Sequence, residues 1–123
     1  RFLKELAEEL KSSNPSVILA EKEGNSVAFA YYQHNNNFME IEEIDVIKGC
    51  QGQGIGRALM QYIEKNAKEK GIKRLVTGTS INIEGKPWKA YGFWIHMGFI
   101  DAGERINGLH GLKYAKLVKQ LRP

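Results

Sequence analysis

A chain of 123 residues, 42% hydrophobic and 26% charged, has room for one modest core and not for two, so residues 1–123 are expected to form a single domain. The formal charge of +4 suits a polyanionic ligand, but the basic residues are spread along the chain and do not mark a nucleic-acid surface. No run of about eighteen apolar residues and no secretory pattern is present, so no membrane contact is expected and a cytoplasmic protein is the default.

Phe2, Leu3, Leu6, Ala7 and Leu10 repeat at helical spacing, and Ser12, Ser13, Asn14 and Pro15 stop the helix they predict. Residues 17–20 and 27–32 read as strands, joined into a hairpin at Glu23-Gly24-Asn25. A polar run at 34–37 then turns the chain into a third strand, 38–47, completing an antiparallel meander. Within that strand Met39 and Ile41 alternate on odd positions, Ile44 and Val46 on even ones. The apolar face therefore changes parity across Glu42 and Glu43, and a β-bulge at these two residues restores one continuous buried face.

The stretch from Val46 to Met60, VIKGCQGQGIGRALM, follows. Gly52, Gly54 and Gly56 leave backbone N–H groups unshielded, and Ile55, Leu59, Met60, Ile63 and Ala67 form one helical stripe beginning within or just after them. A helix start there adds free N–H groups and the positive end of the helix dipole, which suits an anion. It is not a P-loop, because Arg57 and Ala58 stand where Lys and Ser/Thr are needed. It is not a dinucleotide fingerprint either, because Ala58 occupies the third glycine's place and the next strand ends in Gly78 and Thr79 rather than an acid.

The spacing Gln51-x-x-Gly54-x-Gly56 instead resembles the acetyl-coenzyme A signature of the GNAT N-acetyltransferase family. The resemblance implies acetyl-coenzyme A as cofactor, its pyrophosphate held by the backbone amides of Gln51, Gly52, Gln53, Gly54, Ile55, Gly56 and Arg57. It also implies that the third strand splays from a parallel neighbour at its bulge. The pantetheine arm would lie in that gap on the amides of Val46 and Ile47.

Gly71 is the expected C′ residue of the helix, and 73–79 the next strand. A helix between two strands makes them parallel, through a right-handed crossover. After a polar loop at 80–86, Pro87 opens a helix at 88–97 in its tolerated first-turn place, and Gly98 closes it. Residues 99–105 and 109–118 are expected as the last strands, around Asn107-Gly108, a type I′ hairpin signal. The fold class is thus α/β (α+β), a GNAT-like mixed sheet in which an antiparallel meander is followed by a parallel βαβ crossover. The family's first strand and helix have no counterpart in it. A sheet edge left bare by that loss would invite a second copy, so a homodimer is one expectation.

Amide formation by direct attack needs a base for the amine, a donor for the developing oxyanion and a proton for the departing thiolate. The bulge carboxylates supply the base, Glu43 first and Glu42 second, and the N–H groups near Ile44 and Val46 the oxyanion donors. Trp94 stands where the resemblance implies a tyrosine acid, and an indole N–H does not ionise usefully. Tyr91, three residues earlier on the same helical face, could lend its hydroxyl. Asn82 resembles the family's cofactor-contacting asparagine, and Arg57 could pair with a phosphate. His34, His96 and His110 read as turn or surface residues, and Cys50 as a thiol without an activating base. Three histidines and one cysteine at these spacings form no metal site.

The expected function is transfer of an acetyl group from acetyl-coenzyme A to a primary amine whose identity the sequence does not carry. A non-catalytic acyl-coenzyme A-binding or protein-interaction module of the same fold is the first alternative. A small basic nucleic-acid-binding domain is the second.

Overall fold

Alternation of buried residues builds the sheet. Ile18 and Ala20 on one strand, Ala28, Ala30 and Tyr32 on the next, and Met39 and Ile41 on the third all bury one face. The computed structural model describes residues 14–81, 89–108 and 111–122. The helix expected at 2–10 and the start of the one expected at 88–97 lie outside the described residues. Six strands and two helices follow one another within them: β1 (Ser16–Lys22), β2 (Asn25–His34), β3 (Met39–Val46), α1 (Ile55–Glu69), β4 (Arg74–Ile81), α2 (Lys89–His96), β5 (Ile100–Asn107) and β6 (Lys113–Gln120).

The sheet order is β1-β2-β3-β4-β6-β5. Only β3 and β4 run parallel, and every other neighbouring pair is antiparallel. This is the expected meander followed by a crossover through α1. The α1 stripe of Ile55, Leu59, Met60, Ile63 and Ala67 packs on the buried face, and Asn66 among them donates to the hydroxyl of Tyr32 at 2.7 Å. A buried amide and a buried phenol thereby satisfy one another and fix α1 over β2.

Both helices end in the same way. Gly71 and Gly98 take positive φ of 73° and 95°, a conformation that costs a residue with a Cβ. After α1, the N–H of Ile72 donates to Ala67 O (2.9 Å) and that of Gly71 to Lys68 O (3.0 Å). After α2, Phe99 donates to Trp94 O and Gly98 to Ile95 O, both at 3.0 Å. These are Schellman caps, and the apolar contact that accompanies them at α2 is the edge-to-face pair of Trp94 and Phe99, with ring centroids 5.1 Å apart.

The last hairpin departs from expectation. Asn107 pairs with Lys113, so residues 108–112 connect the strands and Asn107-Gly108 is not a two-residue type I′ turn. A Cβ on Gly108 would run into the ring of Tyr114 at Cε2, and the Gly108 N–H reaches Leu112 O at 2.7 Å. Glycine is thus required there by a ring rather than by hairpin geometry.

Candidate active site

The bulge forms where the parity change demands it. Tyr31 pairs with Glu43 and Tyr32 with Ile41, leaving Glu42 as the extra residue on β3. On its other side β3 pairs with β4 only through Met39–Leu75, Glu40–Val76 and Ile41–Thr77. Beyond the bulge the two strands continue, β3 to Val46 and β4 to Ile81, without pairing, so a split opens in the middle of the sheet.

Hydrogen-bond alternation says which groups face that split. The Ile47 N–H donates to Val27 O on β2 at 2.9 Å. In an antiparallel ladder the neighbouring non-bonded positions point the other way, which turns the N–H groups of Ile44 and Val46 toward the side from which β4 has separated. The Val46 carbonyl confirms the direction, since it accepts from Gln51 Nε2 at 3.0 Å rather than from β2. The N–H groups of Ile44 and Val46 thus face the split. Ile47 is corrected: its amide is already engaged by β2 and cannot hold a pantetheine.

At the end of β3 a short 3-10 turn, Lys48–Cys50, leads into the glycines. Gly54 is the N-cap of α1 with φ 82° and ψ 8°, and no side chain caps the helix. Ile55, Gly56 and Arg57 therefore begin the helix with N–H groups that have no intrahelical acceptor, and no acid stands in the first turn. A Cβ on Gly52 or Gly54 would meet no atom within 4 Å, so the space over this turn is open. These features fit a diphosphate: unshielded donors, the positive dipole end and no competing carboxylate. Gly56 has a different reason, because a Cβ there would lie 3.0 Å from Cε1 of Phe93 and α2 packs against that point.

Two basic side chains flank the turn. Lys22, at the end of β1, donates to Gln53 Oε1 at 3.1 Å, a contact 31 residues long that no local pattern announces. Arg57 Nη2 lies 3.2 Å from His96 Nε2, so the histidine, read as an isolated surface residue, faces the helix start.

On the opposite face of β3, Gln33 on β2 directs Nε2 to Glu42 Oε1 at 2.8 Å and to Glu40 Oε1 at 3.2 Å. Partial desolvation, and after it the hydrogen-bonded Glu40 carboxyl, raise the Glu42 carboxyl above its ordinary value, while the Gln33 bond offsets part of the rise. Glu42 and Glu43 are both exposed. Tyr91 is not brought to the split: its hydroxyl donates to Asp101 Oδ2 on the edge strand β5 at 2.6 Å. That bond raises the phenol further from a useful acid, chiefly because ionisation would remove the donated hydrogen, with desolvation and then repulsion from the Asp101 carboxylate adding to it. Trp94 is 6% exposed and wedged edge-to-face between Phe93 and Phe99, a core residue without access to a leaving group. Asn82 lies outside the described residues, and Cys50 is a half-buried free thiol.

Among the described residues no helix is long and apolar enough to cross a membrane, and no cluster of His, Cys, Asp and Glu could hold a metal. A protein of Bacillus pumilus (strain SAFR-032), described as an uncharacterized N-acetyltransferase, is 32% identical over 69 residues, which are 56% of this chain and 36% of that protein's length. The fold is shared with an aminoglycoside 6′-N-acetyltransferase crystallised with coenzyme A, at a TM-score of 0.78 and 17% identity over 97% of this chain and 79% of that one. A GNAT family acetyltransferase from Elizabethkingia anophelis with acetyl-CoA bound gives a TM-score of 0.70 and 25% identity over 96% and 83% of the two chains. The model of the acetyltransferase (GNAT) family matches residues 1–96, and with the split sheet and the open turn it settles the family: the chain belongs to the GNAT acetyltransferases.

Proposed function

We propose that the protein transfers an acetyl group from acetyl-coenzyme A to a primary amine by direct attack. The observation that carries the reading is the split between β3 and β4 that opens at the bulge, together with the uncapped, glycine-lined start of α1 that follows the end of β3. The backbone N–H groups of Gly52 to Arg57 hold the pyrophosphate, with the Arg57 side chain beside them; that of Gln51, expected among them, is turned to Lys48 O at 3.5 Å, and the Val46 amide orients the pantetheine arm. When bound, acetyl-coenzyme A supplies an activated thioester.

The chain's own residues do the rest. An amine entering from the face opposite α1 meets the carboxylates at the bulge, one of which takes its proton. The neutral nitrogen so formed would attack the thioester carbonyl as the carbon–sulfur bond breaks, giving up one further proton to the thiolate released. The Ile44 N–H, aimed into the split, stabilises the oxyanion that forms in between. The acetyl-coenzyme A in the Elizabethkingia anophelis relative and the coenzyme A in the aminoglycoside enzyme support the choice of cofactor.

Thiol release from acetyl-coenzyme A with a panel of small amines, aminoglycosides and peptides tests the reading. Acetylation of at least one amine is expected. Heat of coenzyme A binding without any thiol release would favour a non-catalytic module, and no heat would remove the cofactor site altogether.

A further inference from the structure

The bulge offers two carboxylates for one proton, and its surroundings treat them differently. We propose that Gln33 and Glu40 are positioning residues that single out Glu42, over Glu43, as the carboxylate that accepts the proton from the amine. The proposal rests on the acetyl-transfer reading above and adds to it which carboxylate acts and what holds it.

Register places the three residues together. Gln33 pairs across the ladder with Glu40, and Glu42 follows Glu40 by two residues, so all three emerge on the face away from α1. The Gln33 amide nitrogen carries two hydrogens, and its two short contacts use them: one to Glu42 at 2.8 Å, one to Glu40 at 3.2 Å. Carboxylates are acceptors only, so the nitrogen must face them, and the pair of bonds stops Glu42 from rotating freely into solvent. The Glu43 side chain makes no hydrogen bond or ion pair among the described residues; the residue lies opposite Tyr31 in the ladder.

The arrangement has two chemical consequences. The Glu42 oxygen is held beside the point where β3 leaves β4, where an amine must approach the split. The second carboxylate, held by the same nitrogen, makes Glu42 a stronger base, because loss of its proton would bring two negative charges together. Other titratable or charged groups on this face of the neighbouring strands are Tyr31 on β2, Glu43 and Asp45 on β3, and Arg74 on β4, with His34 at the end of β2. Arg74 is turned to Phe38, 5.5 Å from its ring centroid.

The test reads the carboxyl itself as well as turnover. In protein carrying carbon-13 at the glutamate carboxyls, the Glu42 resonance is assigned by its loss in Glu42→Gln and followed against pH. In the wild type it should titrate above the ordinary carboxylate range, move down in Glu40→Gln and return in Glu40→Asp. The acid limb of kcat/KM for the amine should move with it. Gln33→Leu should lower kcat by about tenfold or more while leaving the KM for acetyl-coenzyme A nearly unchanged. An unmoved Glu42 titration in Glu40→Gln overturns the proposal, as does an acid limb abolished by Glu43→Gln but not by Glu42→Gln. If the wild type acetylates no amine, it is the acetyl-transfer reading that falls, and the carboxyl titration alone still decides whether the three residues act together.

Discussion

The hydroxyl of Thr77 donates to the carbonyl of Ile41 at 2.9 Å, on the last rung where β3 and β4 still pair. Both residues are buried, so the bond closes the vertex of the split with a polar contact that water cannot replace. Thr77→Val keeps the shape and removes the donor. It should cost about 1–3 kcal/mol, the penalty for a buried acceptor losing its partner, read as a lower denaturant midpoint with an unchanged slope.

Two glycines of the turn should respond differently to substitution. Gly54 has positive φ and open space where a Cβ would be, so Gly54→Val places branched atoms over the N–H groups of the helix start and abolishes the heat of coenzyme A binding. The protein should remain folded, at a backbone cost of about 1–2 kcal/mol. Gly56→Ala meets Phe93 at 3.0 Å instead, and its effect should appear as displacement of that ring's resonances and a lower melting temperature. Unchanged binding in the first variant would put the cofactor elsewhere.

Why was so much of this legible in sequence? The parity change between Ile41 and Ile44 records a face that must stay buried, and only an extra residue reconciles it with a period of two. The glycine spacing records backbone that must stay bare. What escaped has no local trace: Gln33 reaching Glu42, Lys22 reaching Gln53 and Arg57 reaching His96 depend on which strands and helices become neighbours. The two amides implied for pantetheine read alike in sequence, yet β2 engages Ile47 and not Val46, which only the ladder's phase decides. The edge strand hid most. Between Asp101 and Arg105 the register of β5 shifts, and Asp101 Oδ1 accepts from the Gly103 N–H at 2.8 Å to hold that irregularity.

Tyr91 was legible as an aromatic with a free hydroxyl and misleading as an acid. Its bond to Asp101 makes it a tie between α2 and β5, so Tyr91→Phe should leave kcat and its pH profile unchanged. Stability should fall by about 1.5–3 kcal/mol, the range for a hydrogen bond to a charged group. A large loss of kcat in a variant that binds coenzyme A normally would return the phenol to the reaction.

Asp101 itself should set part of the acid stability. Arg105, paired with it at 2.9 Å, holds its carboxyl down to about 2, from an ordinary value of 3.8, with the Tyr91 hydroxyl and the Gly103 N–H assisting. A carboxyl whose folded value is depressed binds its proton less readily in the folded state, so its contribution is complete above the unfolded value. It declines as pH falls from about 4 toward about 2, where the folded carboxyl is finally protonated. Asp101→Asn cannot titrate and should be less stable than the wild type at neutral pH, with a shallower decline of the denaturant midpoint over that interval. Parallel declines in the two proteins would mean that Asp101 carries no linked proton, and that the tie among Tyr91, Asp101 and Arg105 is a contact without electrostatic weight.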